Sequence, residues 1–289
     1  MTKPPRPDGP EPIYCHRHPG AETLLSCSSC GRPVCTDCMR TAAVGIRCSD
    51  CAGGSAPSSP KASSRRLNLL PAAGGAPLTV AIIVICVLVT IVELAQGLGI
   101  NGSGNSRLAV DLGLFGPFVA DGQWYRIITA AFVHAGIIHL LFNMIVLWWL
   151  GGALERYAGT TRMGLIFLTS IVWGSAGALL LDPMALTVGA SGGIYGLMAA
   201  LLVLERQQGI ALLGSGLGIF LLLNLALSFV IPGISIGGHL GGIAGGLLAA
   251  LVLSGFGRGH MAYGRMAPVI IGGMAVVVAA GFALAVFWA

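Results

Sequence analysis

Long apolar segments separated by short polar connections make up most of the chain after residue 77. Most of them approach the roughly 20 residues that a helix needs to cross the hydrocarbon core of a bilayer. The pattern predicts seven spans, near residues 78–98, 135–154, 161–181, 191–205, 211–231, 237–255 and 267–288. The fourth span is the shortest, and we expect it in the middle of the bundle, with its first residue in a water-filled recess.

The charge of the chain is low and unevenly distributed. Only 9% of the 289 residues are charged and 55% are hydrophobic, whereas a soluble domain carries about 25% charged residues. These values predict an all-α polytopic membrane protein. No apolar segment precedes residue 78, so we expect no signal peptide and a polar N-terminal part that stays in the cytoplasm with reduced thiols.

The basic residues between the predicted spans indicate the orientation. With the N-terminus inside, 14 of the 16 Lys and Arg residues are cytoplasmic, and only Arg107 and Arg126 are external. Cytoplasmic connections carry an excess of Lys and Arg in membrane proteins. The pattern therefore predicts a multi-pass protein of the cell membrane in which Ser191 and His239 lie toward the external face.

The N-terminal part contains four pairs of metal-ligand residues between residues 13 and 51, each with a two-residue gap. The pairs are Cys15 with His18, Cys27 with Cys30, Cys35 with Cys38, and Cys48 with Cys51. Eight ligands suffice for two tetrahedral zinc ions, and such a small module would obtain much of its folding energy from the metal. His16 is an alternative to His18, and the spacing leaves open which pairs share an ion.

The remaining polar segments give a simpler picture. Residues 52–77 are rich in Ala, Gly, Ser and Pro, which predicts a flexible linker. Basic residues of the N-terminal module are scattered rather than clustered with aromatic residues, so nucleic-acid binding is not expected. We expect instead that the module binds a cytoplasmic protein partner. Cys86 lies in an apolar run and is predicted to pack as a small hydrophobic residue.

Two polar side chains stand at the start of predicted spans. Ser191 begins the fourth span and His239 lies near the start of the sixth. A hydroxyl and an imidazole that meet in a membrane are the groups of nucleophilic hydrolysis, with the histidine accepting the serine proton. Small residues would let the two helices approach closely. They are Gly192, Gly196 and Ala200 on the fourth span and Gly238, Gly241, Gly242, Gly245 and Gly246 on the sixth. The alternative is a helix-capping serine on a glycine packing face.

Three further residues fit such a site. Tyr195, one turn after Ser191, is expected to pack on the imidazole and orient it, because no carboxylate lies near His239 in the sequence. Ser191 and His239 would then form a catalytic dyad without a third, acidic residue. His139 and Asn143, four residues apart on the second span, can donate hydrogen bonds to an oxyanion together with the backbone N–H of Ser191. Polar contacts between helices are the alternative role for that pair.

These residues together resemble the rhomboid intramembrane serine proteases over roughly residues 78–255. The motifs are Trp124-Tyr125-Arg126, the run from His134 through His139 to Asn143, Gly189-Ala190-Ser191-Gly192 with Tyr195, and His239 before a glycine ladder. The resemblance implies a six-helix rhomboid core over residues 78–255 and an additional transmembrane helix at 267–288. It also implies Ser191 as the nucleophile, His239 as the base, and His139 with Asn143 in the oxyanion hole.

Residues 13–51 resemble a B-box-type zinc finger. That resemblance implies two structural zinc ions, one shared by the first and third ligand pairs and the other by the second and fourth. Sequential pairing is the alternative that the sequence alone permits. No cofactor is expected for catalysis.

The predicted function is that of an intramembrane serine endopeptidase that cleaves single-span membrane proteins in or near the lipid bilayer. The alternative is a catalytically inactive rhomboid-like protein that binds or escorts membrane proteins, which would be expected to lack the serine or the histidine. A transporter is disfavoured, because Glu93 is the only ionisable candidate for a site at mid-membrane depth and it lies close to a helix end.

Overall fold

The computed structural model describes residues 12–41, 45–52, 75–100, 106–254 and 263–289, and in the last helix it describes side chains from residue 270. The predicted linker at 52–77 lies mostly outside the described residues. The chain divides into two compact units, Met1–Arg66 and Leu67–Ala289, and each is described by itself.

The described residues of the first unit contain little regular secondary structure. Its described residues contain one antiparallel hairpin of β1 (Met39–Thr41) and β2 (Ile46–Cys48), in which Arg40 pairs with Arg47. Among the described residues of this unit, the buried apolar ones are five cysteines and a single valine: Cys15, Cys27, Val34, Cys35, Cys38 and Cys48. Burial of so few aliphatic groups stabilises a fold only weakly, so another source of stability is required.

The second unit is helical. Its long helices are α1 (Pro77–Ala95), α7 (Thr160–Leu181), α8 (Ser191–Gln207), α9 (Leu217–Val230), α10 (Ile236–Ser254) and α11 (Tyr263–Phe287). Between α1 and α7, α5 (Ile137–Val146) continues through a π-helical turn, Leu147–Gly151, into α6 (Gly152–Ala158). The described part of the connection after α1 holds three short helices and a 3-10 turn, which are α2 (Arg107–Leu112), α3 (Gly116–Ala120), α4 (Arg126–Thr129) and Ala130–Phe132.

Five helical segments of the described chain are long and apolar enough to cross a membrane, and α8 and α9 are shorter. The predicted fold class, a mostly helical polytopic membrane protein with a small Cys/His-rich module before it, is confirmed. One predicted boundary is wrong: the fifth span begins at Leu217 and not near residue 211, because Gly216 has a left-handed backbone with φ of 79°. The second span extends to Ala158, where Gly159 ends it with φ of 90°.

Helix α8 lies in the interior of the bundle. Every residue from Gly193 to Leu202 is buried, although the helix has only 17 residues. A helix of this length is about 25 Å long and does not need to span the full bilayer when its neighbours enclose it.

Glycines on α10 contact the backbones of two neighbouring helices. The contacts are so close that a Cβ would overlap a carbonyl oxygen, which is how small residues bring membrane helices together. The pairs are Gly242 with Gly192 and Gly246 with Gly196 toward α8, and Gly237 with Gly177 and Gly241 with Trp173 toward α7. Gly192 and Gly196 of the stripe predicted for α8 therefore meet α10.

The surface predicted on α10 is only partly correct. Gly241 and Gly245 contact α7, near Trp173, rather than α8. The reason is helical geometry: each of these glycines lies one residue, or about 100°, before a glycine that faces α8. Helix α10 thus carries two adjacent glycine faces instead of one.

Two buried carboxylates join α1 to the rest of the bundle. Glu155 of α6 accepts the backbone N–H groups of Leu78 and Thr79, which satisfies donors that the start of a helix leaves unpaired. At the other end, Glu93 accepts the backbone N–H of His134. Glu93 therefore joins the end of α1 to the connection that precedes α5. Cys86 is fully buried in α1, as predicted.

Candidate active site

Ser191 and His239 meet at the interface of α8 and α10. The Nε2 atom of His239 lies 2.9 Å from the Oγ atom of Ser191, a hydrogen-bond distance. His239 is only 6% exposed. Because the glycines after each residue bring the two helix backbones together, a serine at the start of α8 can reach an imidazole near the start of α10.

The start of α8 is not capped by a side chain. Its N-cap residue is Ala190, with no side-chain hydrogen bond, and Ser191 is the first helical residue. The hydroxyl of Ser191 therefore contacts the imidazole instead of acting as an N-cap. The first N–H groups of any α-helix have no partner inside it, and they give this end a positive partial charge.

Two side chains hold the other sides of the imidazole. The ring of Tyr195 stacks on that of His239, with centroids 3.9 Å apart and an angle of 20° between the planes. The Nδ1 atom of His239 lies 2.7 Å from the Oγ atom of Ser228 on α9. Tyr195 thus packs where the sequence predicts it. Ser228 was not predicted, because a single serine in an apolar helix carries no signal of its own.

His139 lies against the segment that precedes Ser191. A Cβ at Gly189 would be 2.9 Å from Nε2 of His139, and Gly189 has φ of 123°, so both space and backbone conformation require glycine there. Asn143, one turn along α5, is buried, and its amide nitrogen donates to the carbonyl oxygen of His139 at 2.9 Å. The two residues predicted to stabilise an oxyanion are therefore adjacent, with His139 beside the chain that leads into Ser191.

The connection between α1 and α5 supports the loop that carries Gly189. The guanidinium of Arg126 is buried and donates to the carbonyl oxygens of Val110 and Gly113 at 2.6 and 2.7 Å. Leu114 forms an antiparallel bridge with Thr187, just before Gly189. Arg126 of the Trp124-Tyr125-Arg126 motif therefore holds the connection against which this loop is paired.

The eight predicted metal ligands form two clusters in the N-terminal module. Within each cluster the ligand atoms all lie within 4.8 Å of one another. One cluster contains Cys15, His18, Cys35 and Cys38, and the other contains Cys27, Cys30, Cys48 and Cys51. The structure thus groups the first pair with the third and the second with the fourth. His16 is in neither set of four, but it forms a third group with Cys48 and Asp50. Its Nδ1 lies 3.1 Å from the carbonyl oxygen of Pro33.

The distances within the clusters fit a tetrahedral metal. Nδ1 of His18 lies 3.2 Å from Sγ of Cys35 and 3.4 Å from Sγ of Cys38, and the sulfurs of Cys30 and Cys48 are 3.7 Å apart. A tetrahedral zinc with Zn–S bonds of about 2.3 Å separates its sulfur ligands by about 3.8 Å. The donor set and its spacing therefore suit zinc.

The cysteines of the second cluster differ in acidity. The backbone N–H of Cys48 donates to the sulfur of Cys27 and lowers the pKa of that thiol to about 6. Hydrogen bonds from Cys51 to the sulfurs of Cys30 and Cys48 raise the pKa of Cys51 to about 12. A divalent cation would stabilise all of these groups as thiolates, the form that ligates metal.

Comparison with known proteins supports the membrane part of this picture. Residues 121–256 match the family model of the Rhomboid domain, and this segment contains Ser191, His239, His139 and Asn143. Rhomboid protease GluP of Bacillus subtilis (strain 168) is 34% identical over 157 residues, which are 53% of this chain and 31% of that protein. The putative rhomboid protease YdcA of the same organism is 38% identical over 126 residues, which are 42% of this chain and 63% of that protein.

Related proteins also occur in eukaryotes. Rhomboid-related protein 3 of Homo sapiens is 41% identical over 78 residues, which are 27% of this chain and 19% of that protein. The chain covers less than two thirds of the length of each of these three relatives. Residues 121–256 of this chain thus resemble a Rhomboid domain, and the chain has rhomboid protease homologues. The domain match begins at residue 121 and does not bear on the N-terminal module.

Proposed function

We propose that this protein is an intramembrane serine endopeptidase that cleaves single-span membrane proteins in or near the lipid bilayer. The observation that carries the proposal is the 2.9 Å contact between Nε2 of His239 and Oγ of Ser191. The contact is formed by two helices of a bundle whose matched family includes proteins named as proteases. A serine hydroxyl is a weak nucleophile until a base accepts its proton, and this geometry supplies the base.

The reaction follows from that contact. Oγ of Ser191 attacks the carbonyl carbon of the scissile peptide bond while its proton passes to Nε2 of His239. When the tetrahedral intermediate collapses, the C–N bond breaks and the same proton goes to the leaving amine. Water then attacks the acyl-enzyme with His239 again as the base, and release of the acid restores the Ser191 hydroxyl.

The oxyanion that forms in both steps needs hydrogen-bond donors. We assign this role to the backbone N–H of Ser191 and to the side chains of His139 and Asn143. The support for the two side chains is the position of His139 against Gly189 and the hydrogen bond from the Asn143 amide to the backbone carbonyl oxygen of His139. Asn143 uses one amide hydrogen for that bond, and its second hydrogen is available for the substrate.

The resemblance to rhomboid proteases supports the proposed substrate class, and the position of α8 limits how a substrate reaches Ser191. Since α8 is enclosed by other helices, a substrate must bring an extended peptide segment to the start of that helix from the bilayer or its surface. The distribution of Lys and Arg favours a cytoplasmic N-terminus and a site that opens to the external face.

We further propose that the two Cys/His clusters each hold one structural zinc ion. The first and third ligand pairs would bind one ion and the second and fourth the other, as in a B-box-type finger. The metal would tie together a module with almost no aliphatic core, and it would take no part in peptide hydrolysis. We propose that this module binds a cytoplasmic protein partner.

A covalent probe tests the proposed protease activity. Purified protein in detergent is treated with a fluorophosphonate, which forms a stable bond only with an activated serine, and the modified residue is identified by peptide mapping. We expect a single labelled residue, Ser191, and no labelling in Ser191→Ala or in heat-denatured protein. Ser175→Ala is the matched control, because Ser175 is also buried but bonds the carbonyl oxygen of Ile127.

The same experiment separates the protease from an inactive membrane-protein binder. A binder would bind membrane proteins without reacting with the probe. Native protein that stays unlabelled, or that is labelled at a residue other than Ser191, would contradict the proposal.

A further inference from the structure

Ser228 lies at the junction of three hydrogen-bonding groups. Its Oγ atom is 2.7 Å from Nδ1 of His239, 3.3 Å from the hydroxyl of Tyr195 and 3.1 Å from the carbonyl oxygen of Asn224. Ser228 is 3% exposed. The other buried residues of α9 are Leu217 and Gly218, at the opposite end of the helix. Helix α9 therefore has one buried residue in its second half, and that residue is a serine facing the imidazole.

We infer that Ser228 is a positioning residue that holds His239 in the tautomer protonated at Nδ1. The inference deepens the proposed protease function and rests on it. A base for Ser191 needs a lone pair on Nε2, and a neutral imidazole has that lone pair only when its proton is on Nδ1. A hydrogen-bond acceptor at Nδ1 therefore selects the useful form, the role that a carboxylate has in a serine–histidine–aspartate triad.

The hydrogen-bonding capacity of the Ser228 hydroxyl matches this role. A serine hydroxyl has one hydrogen and two lone pairs. Its hydrogen goes to the carbonyl oxygen of Asn224, one turn earlier on α9, in the bond that serines commonly form within helices. The two lone pairs then accept the hydroxyl of Tyr195 and the Nδ1–H of His239. All groups around Ser228 are satisfied in this arrangement.

The opposite assignment is less favourable. If the Ser228 hydroxyl donated to Nδ1 of His239, the imidazole proton would be on Nε2 and would point at Ser191. Ser228 would also lose its bond to the carbonyl oxygen of Asn224. Tyr195 cannot replace Ser228, because it stacks on the face of the ring and so restricts its plane without contacting a ring nitrogen. The two residues therefore have separate roles, Tyr195 fixing the plane and Ser228 the tautomer.

Two measurements on variants test this inference. The first is the rate of cleavage of a single-span test substrate by Ser228→Ala, Ser228→Thr and the control Ser170→Ala. Ser170 is a buried serine with the same type of bond to the carbonyl oxygen four residues earlier, but it lies on α7. Loss of one buried hydrogen bond predicts a fall in kcat of about tenfold for Ser228→Ala, with KM changed by less than about twofold. Ser228→Thr, which keeps a hydroxyl, should retain most of the activity, and Ser170→Ala should keep all of it.

The second measurement does not depend on activity. The ¹⁵N resonances of His239 are recorded in protein with ¹⁵N-labelled histidine and assigned by comparison with His239→Gln. A protonated ring nitrogen and a bare one have well-separated shifts, so the spectrum identifies the tautomer. We expect Nδ1–H in the native protein and in Ser228→Thr, and a mixture of tautomers in Ser228→Ala.

Each outcome decides a different question. An unchanged His239 spectrum in Ser228→Ala, or a turnover within about twofold of the native value, overturns the inference. Native protein that neither cleaves the substrate nor reacts with a fluorophosphonate overturns the proposed function instead, and the spectrum still establishes whether Ser228 sets the tautomer.

Discussion

The two units of this protein obtain their close contacts in opposite ways. In the described residues of the N-terminal module the close contacts are made by side chains, in two groups of four candidate metal ligands. In the helical unit close contacts between backbones occur where side chains are missing, along the glycines that join α10 to α7 and α8. The module therefore depends on specific atoms being present, whereas the bundle depends on specific atoms being absent.

This difference determines what a substitution does in each unit. Replacing a ligand removes an attractive interaction, and its effect should be confined to one cluster. Adding an atom to a helix interface pushes two backbones apart, and its effect should extend to every side chain that those helices carry. Ser191 and His239 are carried by the two helices that meet through glycine, so folding and chemistry are coupled in the bundle.

The largest expected effect comes from removing the reacting groups themselves. Ser191→Ala and His239→Ala should each reduce cleavage of a single-span test substrate by about 10⁶-fold, because the two residues act as one unit. The double variant should be no worse than either single variant. Thermal unfolding in detergent should change little, and substantial cleavage by purified Ser191→Ala would contradict the assignment.

A smaller loss is expected from the proposed oxyanion donors. His139→Ala and Asn143→Ala should each lower kcat by about 10²–10³-fold, the usual effect of losing one such donor, with a weaker effect on KM. Fluorophosphonate labelling of Ser191 would show that the nucleophile is still present. Unchanged turnover in both variants would leave these residues with a packing role only.

Adding a single methyl group should destabilise the bundle at a glycine in close backbone contact and not at a glycine with open space around it. In Gly246→Ala the new carbon would overlap the backbone of Gly196, and overpacking of this kind costs about 1–3 kcal/mol. The unfolding temperature and the cleavage rate should fall together. Gly272→Ala on α11 is the matched control, because a carbon there meets nothing within 4 Å. Equal stability of both variants would mean that the close approach of α8 and α10 is not required.

The smallest effect on cleavage is expected from loss of the N-terminal module. A chain that begins near residue 68 should cleave a test substrate in detergent at a rate within about twofold of full length. The full chain should bind about two zinc ions, and a chelator should unfold the module because structural zinc supplies its folding energy. Folded but inactive truncated protein would show that the module is coupled to the site.

The sequence predicts the helical fold because the apolar runs are long and are clearly separated by short polar connections. Boundaries at Gly159 and Gly216 were less accurate, since they depend on a left-handed backbone that hydropathy does not reveal. The three short helices after α1 could not be predicted either. Their form depends on the buried guanidinium of Arg126, which binds carbonyl oxygens that are distant in sequence.

The sequence could predict those parts of the candidate site in which two residues lie close together in one segment. The spacing of His139 and Asn143, and of Ser191 and Tyr195, places each pair on one helix face. Ser228 belongs to a third helix, so its position beside His239 depends on how α9 packs. In the N-terminal module the same limit applies, because spacing identifies the ligand pairs whereas tertiary structure decides which pairs meet.

The buried guanidinium of Arg126 has a consequence for interpreting variants of this protein. It holds the connection that pairs, through Leu114 and Thr187, with the loop leading into Ser191. Damage at Arg126 would therefore resemble damage to the nucleophile in a screen for lost activity, although none of its hydrogen bonds reaches a reacting atom. Substitutions that inactivate this protein would therefore be found well beyond the residues that perform the chemistry.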